Sequence, residues 1–232
     1  MAVTLQDLID RFREETDEFD TNYIDDSELA RILNSAISKA GRVIMRTYED
    51  YFLSEAEVAY TAGGLYIDYP ADILINKIRY IVFIDAPVGQ RGGTAVNIAR
   101  SRRLEDIAGR LGTYQTTNTY PTGYYPVDGA NGRKMKLVMP ADTSGHFKIG
   151  YIRTVKKLVD PFDVLDIPEF EDTIIQIAKV KYLKNDGDPR YAVEKADEEE
   201  MIMDMVSSMK DMTIADDDSK MLCDHTFYEE SI

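Results

Sequence analysis

The stretch DDSELARILNSAISKAGRVIMRTYEDYFL, residues 25–53, decides the fold. Leu29, Ile32, Leu33, Ala36, Ile37, Ala40, Val43, Ile44, Tyr48, Tyr51 and Phe52 recur in steps of three and four, which puts them on one side of a 3.6-residue helix. Arg31, Asn34, Lys39, Arg42, Arg46 and Glu49 take the other side, in water. Asp25 and Asp26 can cap free backbone N–H groups, and Glu28 stands three residues after Asp25 as in a capping box. The spacing predicts one long helix whose apolar stripe must find partners elsewhere in the chain.

Working outward, residues 4–16 read as a shorter helix with Thr4 as N-cap and Leu5, Leu8, Ile9 and Phe12 as its stripe. An acidic linker at 14–20 joins the two into a helical hairpin. After Ser54 the period falls to two. Val58–Thr61 and Leu65–Tyr69 then read as short strands around the Gly63-Gly64 turn, and Ile73–Ile84, β-branched and aromatic, is the clearest strand. A short helix is expected over Ile98–Leu111, then an irregular loop or loose edge over 113–133. Lys134–Met139 and His146–Thr154 alternate and read as a hairpin with a longer turn.

Helical signals return at Pro168, which suits a first helical turn. Phe170, Ile174, Ile177, Ala178, Lys181 and Tyr182 share a face, and Asn185-Asp186-Gly187 marks the stop. A further helix starts at Asp188-Pro189, with Ala192, Val193, Ala196, Met203 and Val206 expected inward and its end near Met212. Residues 213–232 are acidic with scattered anchors, Met221, Leu222, Phe227 and Tyr228, and read as an arm that orders on a partner. The expected fold class is α+β: a helical bundle from the N- and C-terminal helices with an inserted β-rich domain. Its parts are 1–54 and 161–212 for the bundle, 55–160 for the insert and 213–232 for the arm.

Composition narrows the function. With 44% hydrophobic residues, 232 residues can bury a substantial core. The longest purely apolar run, Ile81–Ile84, is far too short for a membrane span, and the first residues carry no basic and apolar export signal. The single Cys223 excludes an internal disulfide. A net charge of −15, from 27 basic and 42 acidic residues, argues against wrapping nucleic acid. Such acidity keeps a protein soluble, or lets a surface face a polyanion without sticking to it.

Catalytic and metal-binding readings find little footing. His146 and His225 are the only histidines, and neither joins a Ser/His/Asp pattern. Cys223-Asp224-His225 is short of a closed metal site, and Asp216–Asp218 lacks the glycine and closing glutamate of a calcium loop. Gly89–Gly93 is not followed by Gly-Lys-Ser/Thr, so it is not a phosphate loop. No cofactor is expected. Met201, Met203, Met205, Met209 and Met212 spread around the last helix, which suggests cover from a neighbouring subunit as well as from the core. Arg91, Arg100, Arg102, Arg103 and Arg110 form a basic cluster on an acidic chain. It is either a solvated helix face or a patch that docks on the acidic surface of another copy or another protein.

The order of these pieces resembles a known family. Leu5-Gln6-Asp7-Leu8-Ile9-Asp10-Arg11-Phe12, then Asp26 to Ala36, is similar to the opening of head-to-tail adaptor proteins of tailed bacteriophages. Tyr69-Pro70-Ala71-Asp72, Leu137-Val138-Met139-Pro140, Ile167-Pro168-Glu169-Phe170 and Gly187-Asp188-Pro189 extend the resemblance over residues 4–212, through order and spacing rather than any single motif. It implies a non-enzymatic virion protein, assembled in the host cytoplasm, that forms a ring, usually a dodecamer, between the portal and the next tail ring or nozzle. Genomic double-stranded DNA would pass through it without sequence-specific binding. Another tail component, such as a tail-completion or second-ring protein, and an acid-pair hydrolase are the alternatives.

Overall fold

The computed structural model describes residues 2–17, 24–90, 93–100, 119–129 and 132–226, with 75, 76, 128, 129, 132 and 213–226 described by backbone. The fold is α+β. The chain divides into a helical unit, residues 1–51 and 155–232, and a β unit, residues 52–154.

Among the described residues, four α-helices build the first unit: α1 (Leu5–Thr16), α2 (Asp26–Thr47), α3 (Glu171–Asp186) and α4 (Tyr191–Thr226). Helix α1 opens on a capping box, in which Asp7 N donates to Thr4 Oγ1 at 3.2 Å and Thr4 N donates to Asp7 Oδ2 at 2.8 Å. The Asp25 carboxylate caps α2 by accepting from Glu28 N at 2.7 Å. Arg13, only 7% exposed, donates to Ile24 O at 2.9 Å and to Asp26 at 2.7 Å, which stitches the end of α1 to the start of α2.

The stripe of α2 is buried at Leu29, Ile32, Leu33, Ala36, Ile37, Ala40 and Ile44, as its spacing requires. The helix is shorter than residues 25–53, however. Tyr48 leaves helical geometry at φ −140°, ψ 88°, and Glu49–Phe52 form a 3-10 turn that buries Phe52.

The most enclosed helix is α3, which packs on α1, α2 and α4. Burial extends beyond its expected face to Thr173, Ile175, Gln176, Val180 and Leu183, because neighbours lie on several sides. Tyr182 meets Phe12 edge to face, with centroids 5.7 Å apart. Gly187 ends α3 at φ 72°, in the left-handed region that glycine enters at little cost. Another glycine, Gly41 on α2, lies so close to the Val155 side chain that a Cβ there would overlap a γ-methyl.

Among the described residues, the β unit holds two four-stranded sheets. The first is ordered β1 (Leu53–Tyr60), β8 (Gly145–Arg153), β3 (Ile73–Ile84), β4 (Ala95–Asn97), and is antiparallel throughout. The second is ordered β2 (Tyr66–Asp68), β7 (Gly132–Leu137), β6 (Gly123–Gly129), β5 (Ala99–Arg100), with β5 parallel to β6. Strand β1 is an outer strand, exposed at Leu53, Glu55, Glu57 and Ala59.

The expected hairpin of Lys134–Met139 with His146–Thr154 is corrected. Strands β7 and β8 enter different sheets, and the two strands that flank the Gly63-Gly64 turn do so as well. Sequence neighbours pair when a tight turn suffices. Strand β8, buried along nearly its whole length, instead needs a partner on each side and takes the distant β1 and β3.

The helix expected over Ile98–Leu111 does not begin there, since Ala99–Arg100 form β5, and residues 101–111 lie outside the described residues. Within the expected loop 113–133, Gly123–Gly129 is an interior strand with bonds to β5 and β7. Its tyrosines and Val127 suit a pleated ladder better than an irregular loop.

Tyr60, Phe83 and Phe147 centre the β core, their ring centroids 5.1–5.6 Å apart. The Tyr60 hydroxyl donates to Gly64 O at 2.9 Å and accepts from Ala141 N at 3.0 Å, satisfying the polar end of a buried ring. His146 is 3% exposed, with Nδ1 2.5 Å from Ala86 O.

Candidate assembly surfaces

Exposed apolar side chains on firmly held backbone are the features of the helical unit that invite a partner. The sharpest is the segment before α3. Phe162 is 85% exposed and Val159 78% exposed. Beneath them, Asp163 accepts from Val159 N at 2.7 Å, Asp160 N at 3.0 Å and Lys156 Nζ at 2.7 Å. The Lys156 ammonium, with those two amides, holds the Asp163 carboxyl far below the usual carboxylate range.

The same segment is tied to α1 and α2. Gln6 N donates to Pro161 O, and Leu5 N to Asp163 O, each at 3.0 Å. Asn34 clamps Leu158 from both sides, accepting from its N–H at 2.9 Å and donating to its carbonyl at 2.8 Å. A loop braced this way loses little entropy when its apolar tip is buried by another molecule. Sequence reading missed the site. Its signal was Asp160-Pro161-Phe162-Asp163, an aromatic at a proline turn between two carboxylates.

Helix α4 presents the second surface, and here the expected orientation is overturned. Glu198, Met205 and Met209 are buried, whereas Ala192 and Ala196 are exposed, Val193 is 67% and Met203 70% exposed, and Val206 is half-buried. Polar contacts choose the inward side. Gln176 Nε2 donates to Glu194 O at 2.8 Å and to Glu194 Oε2 at 3.0 Å, Lys179 pairs with Glu194 at 2.9 Å, and Lys39 pairs with buried Glu198. Hydropathy alone selects the opposite side. Val193, Ala196 and Met203 are thereby left as an apolar strip in water.

The end of α4 is corrected too. It runs past Met212 to Thr226, so 213–226 continue a helix. No glycine or proline interrupts residues 191–232, a signal that favours extending the helix over an arm.

Of the sequence-derived contact residues, Arg100 lies exposed in β5, and Met221 and Leu222 lie on the last turns of α4. Arg91, Arg102, Arg103, Arg110, Phe227 and Tyr228 lie outside the described residues.

Among the described residues, no group of three or more His, Cys, Asp or Glu is placed to hold a metal ion, and no helix is long and apolar enough to cross a membrane. Asp7, Asp25, Glu55, Asp163, Asp188 and Glu194 are all shifted toward the ionised form, chiefly by hydrogen bonds they accept. No family model matches the chain, and no curated protein matches it in sequence.

Proposed function

We propose that this chain is a structural virion protein, a head-to-tail adaptor of a tailed bacteriophage. Copies of it form a ring that joins the portal to the tail and continues the DNA channel. The observation that carries the reading is the braced display of Phe162 and Val159, apolar anchors that a lone copy leaves in water. The outward strip of α4 adds a second contact surface, and head-to-tail repetition around an axis buries such surfaces on every copy.

The charge supports the channel role. At −15 per copy, a ring repels DNA phosphates, so a duplex slides through without being held or read. In this reading the helical unit makes the subunit contacts, and the β unit meets the next tail ring or nozzle.

Cryo-electron microscopy of virions tests the proposal. Density for this chain is expected as a ring between portal and tail, and particles assembled without it are expected to be tailless heads. Normally tailed particles lacking the chain overturn the reading.

A further inference from the structure

A groove of about 240 Å³ opens between α2, α3 and the first turns of α4, and its chemistry runs against the rest of the chain. Five cations line it: Lys39, Arg42, Lys181, Lys184 and Lys195. The single carboxylate among its lining residues, Glu198, is buried and already paired with Lys39. Lys195 reaches Glu199 only at 3.6 Å, and Arg42, Lys181 and Lys184 have no carboxylate partner among the described residues. Buried Ile177 and Val180 contribute apolar lining. A cationic rim with an apolar lining fits a peptide that carries clustered carboxylates and an apolar anchor, more than it fits a free anion.

The chain holds such a segment. Residues 211–232 contain Asp211, Asp216, Asp217, Asp218, Asp224, Glu229 and Glu230 against the single Lys220, with Met221, Leu222, Phe227 and Tyr228 interspersed. It cannot reach the groove of its own copy while α4 is intact. The groove lies at the start of α4, and the helix is continuous to Thr226, so Asp216 lies about 30 Å along the axis from Lys195 at 1.5 Å per residue. We infer that the groove receives the acidic end of α4 from a second copy of this chain. This deepens the ring reading and rests on it. The contact is heterologous, groove on one copy and rod end on the next, which is the kind that propagates around a ring.

The test titrates a fluorescein-labelled peptide spanning residues 211–232 against the full-length chain, read by fluorescence anisotropy. Saturable binding that weakens with added salt is expected. Lys181→Glu with Lys184→Glu should weaken it at least about tenfold, as should Asp216, Asp217 and Asp218→Asn in the peptide. Arg42→Glu alone, at an exposed position, should weaken it several-fold, and far-ultraviolet circular dichroism verifies that each variant is folded.

Unchanged affinity in folded variants overturns the inference. So does displacement of the peptide by inorganic phosphate when sodium chloride of equal ionic strength does not displace it, since that outcome marks a simple anion site. The adaptor reading fails separately. Peptide binding by a chain that is absent from the portal vertex leaves the groove contact standing and removes the ring, whereas a chain at the vertex without peptide affinity does the reverse.

Discussion

Lys39 of α2 and Glu198 of α4 form an ion pair in which the carboxylate is 5% exposed and the ammonium 45% exposed. Together with the Gln176 and Lys179 contacts to Glu194, the pair holds the rotation of α4 about its axis. With Glu198 turned inward, Val193 and Met203 must turn outward.

Removing one partner should therefore cost more than removing both. Lys39→Ala leaves a buried carboxylate unpaired and is expected to destabilise the fold by about 2–3 kcal/mol, the lower side of the range because Lys39 is half in water. Replacing both residues with methionine should recover most of that loss. Urea unfolding of the two variants and the parent decides it; equal losses would mean that the pair does not hold α4.

Phe162→Ala should separate stability from assembly. An exposed side chain adds little to the lone fold, so a change within about 0.5 kcal/mol is expected in urea. Incorporation into particles should fall by an amount typical of a lost anchor, about 2 kcal/mol or more. Normal incorporation would assign the loop no role in contact.

The Asp163 brace gives a pH signature. Its carboxyl pKa is lowered in the fold, so its contribution is complete above the unfolded carboxylate pKa of about 4. The contribution declines as pH falls below that value and is gone once pH passes the folded value. Asp163→Asn should flatten the acid side of the stability profile and leave the slope above pH 6 unchanged. Parallel urea titrations from about pH 6 to 3 measure it.

Gly41→Ala should introduce a clash with Val155 that costs about 1–3 kcal/mol. Val155→Ala removes the methyl in the way, so the double variant should be less destabilised than the two single losses added together. Strict additivity in thermal or urea melts would show that the two positions are not in contact.

Legibility in the sequence followed the range of the forces involved. The stripe of α2, the span of β3 and the stop at Gly187 depend on local periodicity and backbone preference, and each could be read directly. The pairing of β8 with β1 and β3 depends on residues from 62 (Ile84 and His146) to 99 (Leu53 and Ile152) positions apart, which turn chemistry does not report. The face of α4 was misread because a glutamate, matched by a lysine from another helix, lies where hydropathy expects an alanine or valine. The Phe162 display went unseen for a related reason. An isolated aromatic near a proline looks like core until the hydrogen bonds of Asp163 show which way the loop is held.

The outer strand β1 bears on how copies can meet. Eight extended residues with one rim unpaired among the described residues form a template on which further chains could zip without limit. Exposed Glu57 sets a charge along it, and Glu55 beside it is held by Lys148 at 2.8 Å and by the Tyr80 hydroxyl, so a second strand added there meets charged, already partnered side chains rather than an apolar rim. Fibre growth along that rim is penalised, which agrees with the ring proposed above, where copies close on one another through their helices.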